Sequence, residues 1–185
     1  KMSKSLGNFF TVRDVANQYG YEPIRYLMIS CQYRSPINYS FDAIEQCKAS
    51  LERLYTCRDS LDFEIKNAAE GELNAEIKAQ LDKRVAQFIT AMDDDLNTAD
   101  AVAVIFDLVR EINTFISVPH AKSALEAAAE LFDALTDVLG ILYNRKKESL
   151  EEEVEQLIAA RQAARKERNW AEADRIRDEL KAMGI

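Results

Sequence analysis

Two lysines three positions apart, Lys1 and Lys4, stand in the run Lys1-Met2-Ser3-Lys4-Ser5, and Leu6-Gly7-Asn8 follows at once. A lysine ammonium is a compact charge on a flexible stem, suited to phosphate oxygens that shift as a bond breaks. When a nucleophile attacks the α-phosphate of ATP, negative charge gathers on the departing pyrophosphate. A lysine that reaches this charge only from a closed loop stabilises the transition state more than the ground state. Gly7 gives the backbone the freedom that closure needs. The residue types point to a polyphosphate-gripping loop. The plainer alternative is a solvated Lys/Ser segment, because short motifs also arise by chance.

A second group lies near the other end. Between Arg161 and Lys181 there are seven basic residues against five acidic ones, so this segment is locally basic in an acidic chain. Trp170, the only tryptophan, stands at a helix junction where an indole can stack on an unpaired base. Such stacking is worth ~1–3 kcal/mol, and splayed single-stranded bases are the usual targets of sequence-specific RNA readers. The competing reading makes Trp170 a core residue between two helices.

Other candidates carry less. Asp93-Asp94-Asp95 suggests a magnesium site, but it precedes a capped helix, where carboxylates favour the positive end. His120 has no nearby Ser or Cys to make a catalytic pair and reads as a surface or capping residue. Cys31, Cys47 and Cys57 show no Cys-x-x-Cys spacing, and Cys47 and Cys57 on one helix stand ~15 Å apart, too far for a disulfide. They read as reduced buried thiols of a cytosolic protein, and a zinc site from this chain alone is not expected.

The elements that position these groups are helical throughout. Thr11 caps a short helix, Val12 to Tyr19, which Gly20 stops, and Pro23 suits the first turn of the next. Tyr33-Arg34-Ser35-Pro36-Ile37-Asn38-Tyr39-Ser40 is a polar and aromatic connector ending in a capping serine. From Phe41 a long helix carries Ile44, Cys47, Leu51, Leu54, Arg58 and Leu61 at heptad spacing, with Arg58 the one break in the seam. Lys66 to Glu76 reads as a loop.

Three more helices follow. The first bears Ile77, Leu81, Val85, Phe88, Ile89 and Met92. The next, capped by Thr98, runs to a break at Pro119, and the last runs from about Lys122 to Tyr143 with Leu125, Leu131, Leu135, Val138, Leu139 and Leu142. Four amphipathic helices with short links predict an all-α antiparallel bundle. Lys146 to Glu153 reads as a charged hinge before a closing pair of helices, Val154 to Arg168 and Trp170 to Met183.

The 185 residues allow one or two small domains. A net charge of −8 argues against an indiscriminate nucleic-acid binder but not against a local RNA-reading patch. No apolar run is long enough to cross a bilayer. The chain opens on its phosphate motif without an initiator Met, which reads as the back end of a larger enzyme.

Lys1 to Ser5 match the Lys-Met-Ser-Lys-Ser signature of class I aminoacyl-tRNA synthetases at every position. The chain resembles the cysteinyl-tRNA synthetases in particular. The resemblance rests on Leu6 to Thr11, Arg25-Tyr26, the Tyr33–Ser40 connector, Met92 to Thr98, and the run from Trp170 to Asp178. It implies a signature loop and stem-contact helices over 1–40, a helical bundle of the DALR type that binds tRNA over 41–147, and part of an anticodon-binding module over 148–185. By resemblance Lys4 stabilises the pyrophosphate, Lys1 assists, and Ser3 and Ser5 shape the ATP-binding loop, while Arg165, Trp170 and Asp174 read the anticodon of tRNA(Cys). It implies cysteine and ATP as substrates and a monomeric cytoplasmic enzyme. The zinc ion that selects the cysteine thiolate would sit in a preceding catalytic domain, so this stretch alone would not aminoacylate. Two alternatives stay open: a ligase that adenylates cysteine and delivers it to a small amine, as in mycothiol synthesis, and a helical binding module without catalysis.

Overall fold

The computed structural model describes residues 10–145, 157, 161, 173–177 and 180. The chain divides into two compact units, 1–143 and 144–185. Among the described residues there are helices and no strands, so the fold is all-α.

In the first unit a short pair comes first, α1 (Val12–Tyr19) and α2 (Tyr21–Ile29). Thr11 caps α1 in a reciprocal box with Asp14, and Gly20, at φ 81°, ends it. Four longer helices follow: α3 (Phe41–Asn67), α4 (Ala75–Asp93), α5 (Thr98–Phe115) and α6 (Lys122–Leu139). Short links make neighbours antiparallel, and α3, α5 and α6 pack on one another while α4 covers α5 and α6. The seam of α3 is the expected one. Ile44, Leu51, Leu54 and Leu61 of α3 face Ile105, Leu108 and Ile112 of α5, and Leu125, Phe132 and Leu135 of α6 join the same buried core. Phe132 and Leu54 are wholly buried, sites where truncation to Ala typically costs ~2–5 kcal/mol.

Several expectations are corrected in detail. Asn97, not Thr98, caps α5, its side chain accepting from the Asp100 amide at 3.2 Å. The last bundle helix stops at Leu139 rather than Tyr143, because Gly140 turns left-handed at φ 64° and its N–H closes onto Asp137 at 2.9 Å. Ile89 and Val138, placed on the apolar stripes by spacing, are 52% and 61% exposed. Helix α4 lies at the edge, so its stripe is only partly covered. His120 does not cap α6: Ala121 holds that position, and the imidazole stacks on Phe115 with centroids 3.6 Å apart.

Two arginines tie neighbouring helices of the bundle together. Arg58 of α3 bonds Asp133 of α6 through Nε (2.9 Å) and Nη2 (3.0 Å), and also pairs with Asp62 one turn on. Arg84 of α4 bonds Glu111 and Asp107 of α5 at 2.9 and 3.1 Å. The apparent break at position 58 is therefore a partnered charge, as a buried guanidinium requires.

In the second unit, residues 173–177 are helical, with Ala173, Ile176 and Leu180 buried at helical spacing and Asp174, Arg175 and Arg177 exposed.

Candidate functional site

Lys1, Ser3, Lys4 and Ser5 lie outside the described residues, as do Arg165 and Trp170. The structure describes the residues that follow the opening motif, from Phe10 on. Phe10 packs edge-on to Phe41 (centroids 4.8 Å) and lies 6.2 Å from Tyr39, while Tyr19 meets Phe41 at 6.3 Å. Such aromatic offsets add ~0.5–1.5 kcal/mol per pair beyond burial. One residue later the Thr11 hydroxyl accepts from the Asp14 amide at 3.1 Å, and the Asp14 carboxylate accepts from the Thr11 hydroxyl and amide at 2.7 and 2.9 Å. These bonds, the hydroxyl's first, hold the Asp14 pKa below the ordinary carboxylate value. The chain is thus held from Phe10 and Thr11 on.

Helix α2 reaches from there to the end of the bundle. Buried Glu22 accepts from the Tyr55 hydroxyl of α3 at 2.9 and 3.1 Å and from the Leu142 amide at 2.5 Å. One turn on, Arg25 Nε donates to the Leu139 carbonyl at 2.8 Å, and its guanidinium lies across Gly140. In the sequence Arg25 stands out only as part of a motif, and Glu22 does not stand out at all. A glutamate in the first turn of a helix reads as an ordinary end charge, and its partner amide is far along the chain.

The connector is anchored at the α4–α5 corner. The Tyr33 hydroxyl donates to Asp95 Oδ1 at 3.0 Å, Arg34 Nη2 pairs with Asp95 Oδ2 at 3.0 Å, and Arg34 Nε donates to the Tyr33 hydroxyl at 2.9 Å. Asp95 and Leu96 both take positive φ, 56° and 54°, an arrangement that costs non-glycine residues roughly 1–2 kcal/mol each. Both oxygens of Asp95 are engaged by the connector.

Of the three anticodon candidates, Asp174 is the one described. It is exposed on its helix and pairs with Arg177 Nη1 at 2.8 Å. The carboxylate is thus reachable from solvent and shared with a neighbouring guanidinium.

Cys47 and Cys57 are free and buried, Cys31 free and half-buried. Burial pushes the Cys47 and Cys57 thiols up to about 11, so both are protonated at neutral pH. Among the described residues no group of three or more His, Cys, Asp or Glu is placed to hold a metal ion. The zinc that the resemblance implies finds no ligand set there. No helix among the described residues is long and apolar enough to cross a membrane.

Comparison with known proteins gives matches to three family models. The family model described as tRNA synthetases class I (C) catalytic domain matches residues 1–49, that of the DALR domain residues 87–143, and that of the cysteinyl-tRNA ligase anticodon binding domain residues 147–185. A cysteine–tRNA ligase of Caldicellulosiruptor saccharolyticus is 47% identical over 187 residues, covering 100% of this chain. The chain belongs to the cysteinyl-tRNA synthetase family. It spans 40% of the length of that relative.

Within that family frame the polar ties acquire an address. Glu22, Arg25, Tyr33 and Arg34 lie in the stretch matched by the catalytic-domain model, whereas Asp95, Leu139 and Leu142 lie in the stretch matched by the DALR model. The hydrogen bonds between them join one matched region to the other.

Proposed function

We propose that this chain supplies the ATP-stabilising loop and the tRNA-binding helices of a cysteine–tRNA ligase. The observation that carries the reading is the 47% identity to a cysteine–tRNA ligase along the entire chain. Residues 1–40 form the loop and its stem-contact helices, 41–147 the bundle that braces tRNA(Cys), and 148–185 the anticodon module.

In the proposed reaction the cysteine carboxylate attacks the α-phosphate of ATP, and pyrophosphate leaves with the charge that develops on it. Lys4 neutralises that charge, Lys1 assists, and Ser3 and Ser5 hold the loop against the phosphates. Removing one such electrostatic contact typically costs ~10²–10³ in rate. The cysteinyl group then passes to the terminal adenosine of tRNA(Cys), while Arg165, Trp170 and Asp174 read the anticodon by stacking and base-edge contacts. The anticodon-domain match over 147–185 supports delivery to tRNA rather than to a small amine. We place the enzyme in the cytoplasm as a monomer.

The test uses the full-length protein. Pyrophosphate exchange into ATP should depend on cysteine, and tRNA(Cys) should be charged. Exchange that ignores cysteine, or cysteine activation without tRNA charging, would contradict the assignment.

A further inference from the structure

The tie between α2 and the end of α6 has properties that simple packing does not require. Glu22 is buried to 5% exposure, yet it keeps its carboxylate where an apolar side chain would serve packing alone. That carboxylate receives the Leu142 amide across 120 positions of sequence. Leu142 takes φ 60°, so the backbone at this corner is bent to present its N–H. Arg25 completes the tie from the next turn of the same helix by holding the Leu139 carbonyl, one of the acceptors left open where α6 ends.

Gly140 makes room for this arrangement. A Cβ at that position would stand 2.7 Å from Cζ and 2.8 Å from Nε of Arg25, closer than real Cβ contacts come. The left-handed backbone and the missing side chain together let the guanidinium lie flat across the corner. Gly140 thus serves Arg25 as well as the helix stop.

We infer that Glu22, Arg25 and Gly140 form a clamp that fixes the angle between the catalytic-domain segment and the tRNA-binding bundle. They are positioning residues for transfer to tRNA, not for cysteine activation. The inference rests on the function proposed above and names residues that this function did not require. Its logic is geometric. Helices α1 and α2 lie in the stretch matched by the catalytic-domain model, so loosening the clamp leaves cysteine activation unchanged. The bundle then swings relative to that segment, and the tRNA it carries arrives misplaced. Misplacement of a reacting group by about 1 Å can cost ~10²-fold in rate. Apart from these three residues, α2 is held to the bundle mainly by its packing on α3.

The experiment compares cysteine-dependent pyrophosphate exchange with tRNA(Cys) charging in the full-length enzyme carrying Arg25→Met, Arg25→Lys or Glu22→Gln. Arg25 is exposed, so its substitution leaves the core intact, and the exchange activity itself reports a folded enzyme. Arg25→Met should lower kcat/KM for tRNA by roughly 10- to 100-fold, with exchange changed less than about twofold. Arg25→Lys, which keeps a donor for the Leu139 carbonyl, should recover most of the loss, and Glu22→Gln should fall between. Equal losses in exchange and charging, no loss in either, or a lysine variant no better than the methionine one would overturn the clamp. The wild-type control separates this from the functional reading. Exchange with a different amino acid would count against cysteine while the comparison still judges the clamp, and exchange with none would defeat both.

Discussion

Arg58 of α3 and Asp133 of α6 form a two-pronged bond, Nε to Oδ1 at 2.9 Å and Nη2 to Oδ2 at 3.0 Å. Burial alone lowers the Arg58 pKa, but the bonds from Asp133 and Asp62 outweigh it and raise the value overall. The two partners are not equivalent, since the Arg58 side chain is 9% exposed and that of Asp133 35%.

The asymmetry predicts unequal mutants. Asp133→Ala strands a buried guanidinium with Asp62 as its remaining carboxylate, and should cost about 2 kcal/mol. Arg58→Met removes the buried charge and leaves two carboxylates that water can reach, so its cost should be smaller. Urea unfolding of both variants checks the order. An Arg58→Met variant less stable than Asp133→Ala would refute the account of which partner is stranded.

Gly140→Ala should destabilise the protein by about 1–2 kcal/mol from the left-handed backbone alone. It should also push Arg25 off the Leu139 carbonyl. The penalty should therefore be smaller when Arg25 is already Met, a coupling of at least about 0.5 kcal/mol in a double-mutant cycle. Additive losses would mean that the guanidinium and the corner do not depend on each other.

The thiols predict a pH window. Burial raises the Cys47 and Cys57 pKa from 9.0 to about 11, so the thiolate is disfavoured by folding. Their contribution to stability is complete below about pH 9 and is lost as pH climbs toward 11. At pH 8 the half-buried Cys31 should be alkylated well before the other two, all three reacting after denaturation. Fast labelling of Cys57 in the native protein would contradict its burial.

Much of this architecture was legible in the chain, for local reasons. Thr11, Gly20 and Ser40 mark their helix ends because capping is settled within three or four residues. The seams of α3, α5 and α6 follow from periodicity. What escaped was long-range. Nothing near Glu22 announces Leu142, and nothing near Arg58 announces Asp133, since both partners are supplied by the fold. Ile89 misled because an apolar residue at helical spacing looks the same on a covered and an uncovered face. The candidate residues Lys1 to Ser5 stand out by residue type and family signature alone, without any fold argument.

At the other end of the chain, Trp170→Ala in the full-length enzyme should weaken tRNA(Cys) binding by ~1–3 kcal/mol, the worth of one stacked base. Cysteine-dependent pyrophosphate exchange should be untouched. A gel shift against tRNA carrying an altered anticodon completes the check. If the wild type and the variant lose the same affinity on that change, Trp170 is not reading the anticodon.

The most direct test of the central claim is cysteine-dependent pyrophosphate exchange by full-length Lys4→Ala, with tRNA(Cys) affinity measured beside it. Exchange should fall by ~10²–10³ while tRNA affinity stays within about twofold. An unchanged exchange rate would contradict the role given to Lys4, and with it the reading of Lys1 to Ser5 as the loop that steadies a departing pyrophosphate.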